Sequence, residues 1–190
     1  MTTSKLISSA ADTVTAVVTA PPMSAVTKES PTPSSGFDVH GLCEHLLNSI
    51  HISRTAVRRE SWPAGKVVVM DQPPWVKFPP ELASLSAAWA APDAIEGEVQ
   101  LNGRMLPAEL GAGITLMELV VHGWELARAS GQTVEFDDEV LEVALAQVAG
   151  VAPSLRGRPG GFGPEVPVPA EASTLDRLVG LSGRDPHWKP

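Results

Sequence analysis

Apolar residues recur every three or four positions along much of this chain, which is the period of an amphipathic α-helix. The pattern predicts a first helix over residues 4–19, ended by Pro21, and a second helix from Val39 to about residue 58. Asp38 directly precedes the second helix, and aspartate is a favoured N-cap residue. Both helices present one apolar face, so both are expected to pack against other elements.

The longest apolar run without proline predicts a central helix that begins between residues 108 and 114 and ends at Ser130. Gly131 is placed to cap its C-terminus, because glycine adopts the left-handed conformation that helix ends require. The central helix is apolar almost all round, which is typical of a buried helix.

Turn residues, capping residues and helix breakers give weaker signals, and these predict the remaining elements. They are a short strand or extended crossing within residues 61–80, a short helix opened by Pro79-Pro80 through Trp89, a hairpin over 98–106 around Asn102-Gly103, a helix from Asp137 or Asp138 through Ala149 ended by Gly150 and Pro153, and a last helix from the Ser173/Asp176 capping box to Leu181.

These elements predict an all-α fold in one domain over residues 1–190, with four main helices, a short β-hairpin and an extended C-terminal tail that ends in a short helix. Several connections between the helices are long, so a simple up-and-down order is not required. A length of 190 residues is sufficient for a substantial core.

Composition narrows the classes of partner. The net charge of −8 argues against nucleic acid and against an anionic membrane surface, since either would need a basic face. No run approaches 18 apolar residues, and the N-terminus makes a poor signal peptide. Cys43 is the single cysteine, so no intrachain disulfide can form and a reducing, cytoplasmic location is expected. We expect Cys43 to be a core residue and not a nucleophile.

One narrow ionisable stripe interrupts the apolar surface of the central helix. At about 100° per residue, Glu118 and His122 lie roughly 40° apart and one turn from each other. Glu125 lies roughly 20° to the other side of Glu118. The stripe is either the solvent-facing strip of the helix or half of a site.

A third residue could complete a metal site. His45 is the histidine of the second helix that borders its apolar face, and neighbouring helix axes pack about 8–10 Å apart. His45, Glu118 and His122 would then supply the three protein ligands of an open zinc site, with one net positive charge left on the ion. The alternative is a border histidine bonded to a carbonyl. The helical protease motif HExxH is absent, and we interpret Gly160-Gly161-Phe162-Gly163 as a flexible turn.

Four motifs resemble the actinobacterial metal-binding group related to the mycothiol-dependent maleylpyruvate isomerases, within the DinB-like superfamily. The resemblance covers nearly the whole chain, and the second motif is the most specific. The motifs are Thr32-Pro33 with Phe37-Asp38-Val39, Leu42 and His45-Leu46, then ELVVHGWELARASG over 118–131, FGPEVPVP over 162–169, and LSGRDPHW over 181–188.

The resemblance implies a DinB-like four-helix bundle that holds a divalent metal, typically Zn²⁺, with His45, Glu118 and His122 as ligands. Glu125 is then expected to be a neighbour of the site and not a ligand. The isomerase itself resembles a two-domain protein, and no second domain is expected here. Maleylpyruvate isomerisation is therefore not the expected reaction.

The functional hypothesis is a thiol-dependent metalloenzyme, an isomerase or transferase that acts on a small electrophilic substrate with mycothiol as co-substrate. Two alternatives remain open: a non-catalytic bundle that binds a small molecule or a metal, and a metal-free bundle in which the stripe is merely polar. The expected partners are a small-molecule substrate or thiol, and the oligomeric state is open, with a homodimer as one alternative.

Overall fold

The computed structural model describes residues 1–63, 65–101, 103–158 and 161–190. Within these ranges the chain is mostly helical, with a small two-stranded antiparallel sheet. No described helix is both long enough and apolar enough to cross a lipid bilayer. The elements are α1 (Thr3–Thr19), α2 (Val39–Val57), α3 (Pro74–Trp89), β1 (Glu98–Leu101), β2 (Arg104–Pro107), α4 (Ala108–Ala129), α5 (Asp138–Leu155) and α6 (Thr174–Leu181).

Helices α1 to α4 are arranged so that each packs on two of the other three. Helix α1 packs on α3 and α4, and α2 packs on the same two helices, so the cyclic order is α1, α3, α2, α4. Helix α5 packs on the outside against α4 and α1, and α6 packs on α5. One hydrophobic cluster includes residues from all six helices. Most of the 22 residues of α4 are buried, as its apolar pattern predicts.

Local signals locate the helix ends correctly where a cap is present. The Asp38 carboxylate accepts a hydrogen bond from the Gly41 N–H at 2.7 Å, which fixes the start of α2. The hydroxyl of Ser173 accepts from the Asp176 N–H at 3.0 Å at the start of α6. Gly131 has φ of +70°, so it ends α4 in the left-handed conformation.

Two predictions from proline were wrong. Helix α3 begins at Pro74, not at Pro79-Pro80, and these two prolines lie inside it. Their missing N–H groups would have bonded the carbonyls of Trp75 and Val76, which are on exposed residues where water can serve instead. Helix α3 is thereby long enough to be one of the four helices that surround the core.

The end of α5 was also predicted too early. The helix continues past Gly150 and through Pro153 to Leu155. Pro153 deprives only the carbonyl of Ala149 of its donor, and Ala149 is exposed. Val148 and Ala152 are buried on the other side of the helix, so packing extends it beyond the sequence signal.

The segment before α3 is an extended crossing, one of the two alternatives predicted for it. The side chain of Asn48 in α2 accepts from the Val68 N–H at 2.8 Å and donates to the Val68 carbonyl at 3.0 Å. An amide side chain therefore satisfies the backbone groups that a neighbouring strand would satisfy in a sheet.

The hairpin is confirmed on either side of its turn, with Glu98 opposite Pro107 and Leu101 opposite Arg104. Asn102 of the predicted turn pair lies outside the described residues, and Gly103 has φ of +77°. The hairpin packs on α2 and α4. A Cβ at Gly111 would lie 2.8 Å from Val99 Cγ2, so glycine at the start of α4 permits this close contact.

Candidate metal centre

The structure brings together the three residues predicted as metal ligands. His45 projects from the middle of α2, while Glu118 and His122 project from successive turns of α4, the helix against which α2 packs. One ligand atom from each residue lies within 4.8 Å of the others, so the three could hold a metal ion. The polar stripe of α4 therefore faces α2 and is not simply a solvent-facing strip.

Both histidines direct Nε2 at the same carboxylate oxygen. Glu118 Oε2 lies 3.2 Å from His45 Nε2 and 3.3 Å from His122 Nε2. Tetrahedral zinc with bonds of about 2.0–2.1 Å places its ligand atoms roughly 3.3–3.4 Å apart. The two separations therefore agree with two edges of a zinc coordination tetrahedron.

The far side of His122 is held by a buried carboxylate. Nδ1 of His122 lies 2.6 Å from Glu125 Oε2, and Glu125 is fully buried. The Arg184 Nε–H donates to the other Glu125 oxygen at 2.8 Å, and its NH1 group donates to the Ser182 carbonyl. Because Glu125 accepts from Nδ1, Nε2 is the nitrogen that faces the candidate ion.

A glycine next to His122 in the chain permits a close contact between two helices. A Cβ at Gly123 would lie 2.7 Å from Val14 Cγ2 of α1. The missing side chain therefore allows α1 to pack closely against α4 beside the site.

The ionisable groups of the centre shift one another's pKa. Burial opposes ionisation of Glu118, but hydrogen bonds from His122 and His45 hold its pKa well below the usual range. Burial disfavours the imidazolium of His122, yet the charge of Glu125 and the bond to Glu118 raise its pKa to about 9. Burial also opposes ionisation of Glu125, and His122 with Arg184 lowers its pKa. Without metal, His122 is thus an imidazolium between two carboxylates.

The His45 side of the centre is more open. Its side chain is 32% exposed and packs against the Phe37 ring, with 5.1 Å between ring centroids. Ser49, one turn further along α2, donates its hydroxyl to Glu118 Oε2 at 2.9 Å. An ion at this position would therefore keep a side toward solvent, as a catalytic site requires.

Sequence reasoning missed two contributors. Ser49 was not predicted as part of the site, and its link to Glu118 depends on how α2 and α4 pack. Arg184 lies 59 residues from Glu125 in the chain, and the closing motif was the only sequence signal for it. Cys43 is buried, as predicted, and burial raises the pKa of its thiol to about 12, which makes it a poor nucleophile.

Two proteins of Mycobacterium tuberculosis are similar to this chain, the uncharacterized protein MT0763 of strain CDC 1551 / Oshkosh and the uncharacterized protein Rv0738 of strain ATCC 25618 / H37Rv. Each is 29% identical over 157 residues, which is 81% of this chain and 83% of the relative. No family model matches the chain, and no solved structure matches it. These names assign no activity, so a functional conclusion has to come from the site.

Proposed function

We propose that this protein binds a divalent metal ion, most simply Zn²⁺, through His45, Glu118 and His122, and uses it in a thiol-dependent reaction on a small electrophilic substrate. The thiol would be of low molecular weight, with mycothiol as the first candidate. The observation that carries the proposal is the convergence of two imidazole nitrogens on one carboxylate oxygen at 3.2 and 3.3 Å.

The residues present fit such an ion. Two imidazoles and one carboxylate are a donor set that zinc accepts, and three protein ligands leave one position for another molecule. The donor set does not select zinc over nickel, iron or manganese, because histidine and glutamate suit all four. When bound, the ion would supply a Lewis acid that holds a thiol sulfur as thiolate, ready to form a C–S bond with an electrophilic carbon.

The chain's own residues would orient the centre and control its charge. Glu125 fixes the ring of His122, and Arg184 balances the buried charge of Glu125. Ser49 holds the carboxylate of Glu118 from the α2 side. The ligand set carries one negative charge, so a divalent ion there would keep one net positive charge with which to attract a thiolate.

We further propose that the fold is a DinB-like four-helix bundle. The support is the cyclic packing of α1, α3, α2 and α4, with ligands contributed by two adjacent helices. Ligand sites between facing helices are typical of bundles. The motif resemblance points the same way, and it is the source of the expectation that mycothiol is the thiol.

Metal analysis tests the first part of the proposal. We expect about one equivalent of zinc in the purified protein and far less in His122→Ala, with His40→Ala as the control because His40 lies on α2 outside the cluster. Equal metal content in wild type and His122→Ala would contradict the site.

Turnover tests the second part. With metal bound, we expect mycothiol-dependent consumption of at least one compound in a panel of small electrophiles, measured by loss of the electrophile with and without thiol. If the metal is present but no thiol-dependent reaction occurs, the non-catalytic alternative replaces the enzyme.

A further inference from the structure

A cavity of about 270 Å³ begins at His45 and Glu118 and extends away from His122. Leucine and isoleucine side chains form more than half of its wall, among them Leu85 of α3, Leu101 of β1 and Ile114 of α4. The candidate metal centre therefore lies at one end of an apolar chamber.

The amide of Asn48 in the cavity wall has no free N–H. Asn48 donates both hydrogens of its amide, one to the Glu44 carbonyl at 2.8 Å and one to the Val68 carbonyl at 3.0 Å. Ser49 donates to Glu118. Neither side chain has a donor left for a molecule in the cavity.

The hydroxyls deeper in the wall are also committed. Thr115 donates to the Gly111 carbonyl at 2.9 Å, so in the 2.7 Å contact between Ser53 and Thr115 the donor is Ser53. The Trp89 indole N–H donates to Ser53 Oγ at 2.9 Å. Each donor of these three side chains is therefore already used within the protein, and none is left for a molecule in the cavity.

The described lining residues also include no Lys or Arg. A carboxylate placed in this cavity away from the ion would lose its hydration and gain neither a cation nor a hydrogen-bond donor. We propose that the cavity binds the uncharged, apolar body of the substrate, whose one polar group lies at the His45–Glu118 end. This inference rests on the proposed function for the role of that end.

The cavity volume indicates how much of a substrate this cavity can surround. A cavity of about 150 Å³ holds benzene, with its six carbon atoms. By proportion, 270 Å³ holds a body of about ten non-hydrogen atoms, the size of a substituted aromatic ring or a short branched chain. The substrate class is therefore a small neutral electrophile and not a dicarboxylate, and a glycosylated thiol would have to approach from the solvent side of His45.

The first test needs no metal. Trp89 is buried and bonded to Ser53 in the cavity wall, so its indole N–H resonance should report occupancy. We expect saturable shifts of this resonance with benzyl alcohol and at least tenfold weaker binding of benzoate, which differs by its charge. An equal response to both probes, or no response to either, would overturn the inference.

A matched pair of variants locates the response. Ile114→Trp should fill the cavity and abolish binding of benzyl alcohol, whereas Val143→Trp, at an exposed residue of α5 that does not line the cavity, should leave it unchanged. Retained binding in a folded Ile114→Trp protein would also overturn the inference. The comparison of benzyl alcohol with benzoate in wild type stands without either variant.

The second test separates the cavity from the metal site. In cobalt-substituted protein, benzohydroxamic acid should bind at least about tenfold more tightly than acetohydroxamic acid, because its ring enters the cavity. Equal affinities would overturn the inference while leaving the metal site intact. Failure to bind cobalt, with benzyl alcohol still bound, would instead reject the proposed function and retain an apolar small-molecule site.

Discussion

The two histidines of the candidate metal centre occupy opposite environments. The side chain of His122 is only 7% exposed, and its Nδ1 is bonded to a buried carboxylate that is bonded in turn to Arg184. The side chain of His45 is 32% exposed, and it lies against Glu118, the Phe37 ring and the edge-on ring of His122. One candidate ligand is thus held by a buried ionic chain, and the other lies at the opening of the site.

This difference assigns separate tasks to the two helices. Helix α4, with Arg184 behind it, holds two candidate ligand atoms in place, and these would need little reorganisation on binding an ion. Helix α2 provides the candidate ligand next to solvent and to the cavity, where an incoming molecule would arrive. The predictions below weaken first the buried half of the centre and then its exposed half.

The largest expected effect comes from breaking the buried ionic chain. Arg184→Met should lower the free energy of unfolding by about 3–5 kcal/mol, because it removes one partner of a buried ion pair and leaves Glu125 short of a cation. Urea denaturation of the metal-free protein measures this change. Arg158→Met, at an exposed arginine, is the control and should have little effect. Similar stability of the two variants would show that Arg184 does not hold the centre.

A smaller effect is expected on metal affinity from the bond between Glu125 and His122. Glu125→Gln keeps the shape of the side chain but weakens its hold on Nδ1, and loss of such a partner typically costs about 10–100-fold in affinity. Competition with a zinc chelator measures the change. Glu142→Gln, an exposed residue of α5, should leave the affinity unchanged.

The sequence predicted the ligands better than their surroundings. The spacing of Glu118 and His122 is a local property of one helix, and the position of His45 at the border of an apolar face is equally local, so all three could be named as candidates. The partners Arg184 and Ser49 depend on how distant segments pack, and no spacing contains that information. The motif resemblance fills part of this gap, because it marked the closing segment that includes Arg184 without giving its contact.

The same distinction between local and long-range information explains why the start of α3 and the end of α5 were predicted wrongly. Caps such as Asp38 act through adjacent backbone groups, and the sequence located them correctly. Proline removes a donor, but the cost depends on whether the carbonyl left behind can reach water, which is a property of the fold. At Pro80 and Pro153 the carbonyl belongs to an exposed residue, so the helix continues.

The pH dependence of metal binding should report the protonation of His122, the histidine in the buried half of the centre. An ion must displace the proton on His122 Nε2, and the pKa of His122 is raised to about 9. Apparent affinity should therefore rise about tenfold per pH unit between pH 7 and 9 and then level off, with close to one proton released per ion. Chelator competition at several pH values, with proton release followed in weak buffer, measures both quantities.

The stability of the metal-free protein should change with pH in the direction opposite to metal affinity. A histidine with a raised pKa stabilises the fold fully below its unfolded value of about 6.5, and this contribution is lost as the pH rises through 9. The metal-free protein should thus lose stability over the interval in which metal binding strengthens. A metal affinity that is flat from pH 7 to 9 would contradict the imidazolium between Glu118 and Glu125.

The smallest effect is expected on the α2 side of the centre. Ser49→Ala removes one hydrogen bond to Glu118 Oε2, a carboxylate that both histidines already hold. This bond is made with or without the ion, so its loss should lower metal affinity by less than the loss of the Glu125 partner, roughly two- to tenfold. Ser8→Ala on α1, far from the centre, controls for loss of a hydroxyl. A Ser49→Ala effect as large as that of Glu125→Gln would mean that α2 orients the carboxylate as firmly as the buried chain orients His122, and the division between a fixed and an open half would not hold.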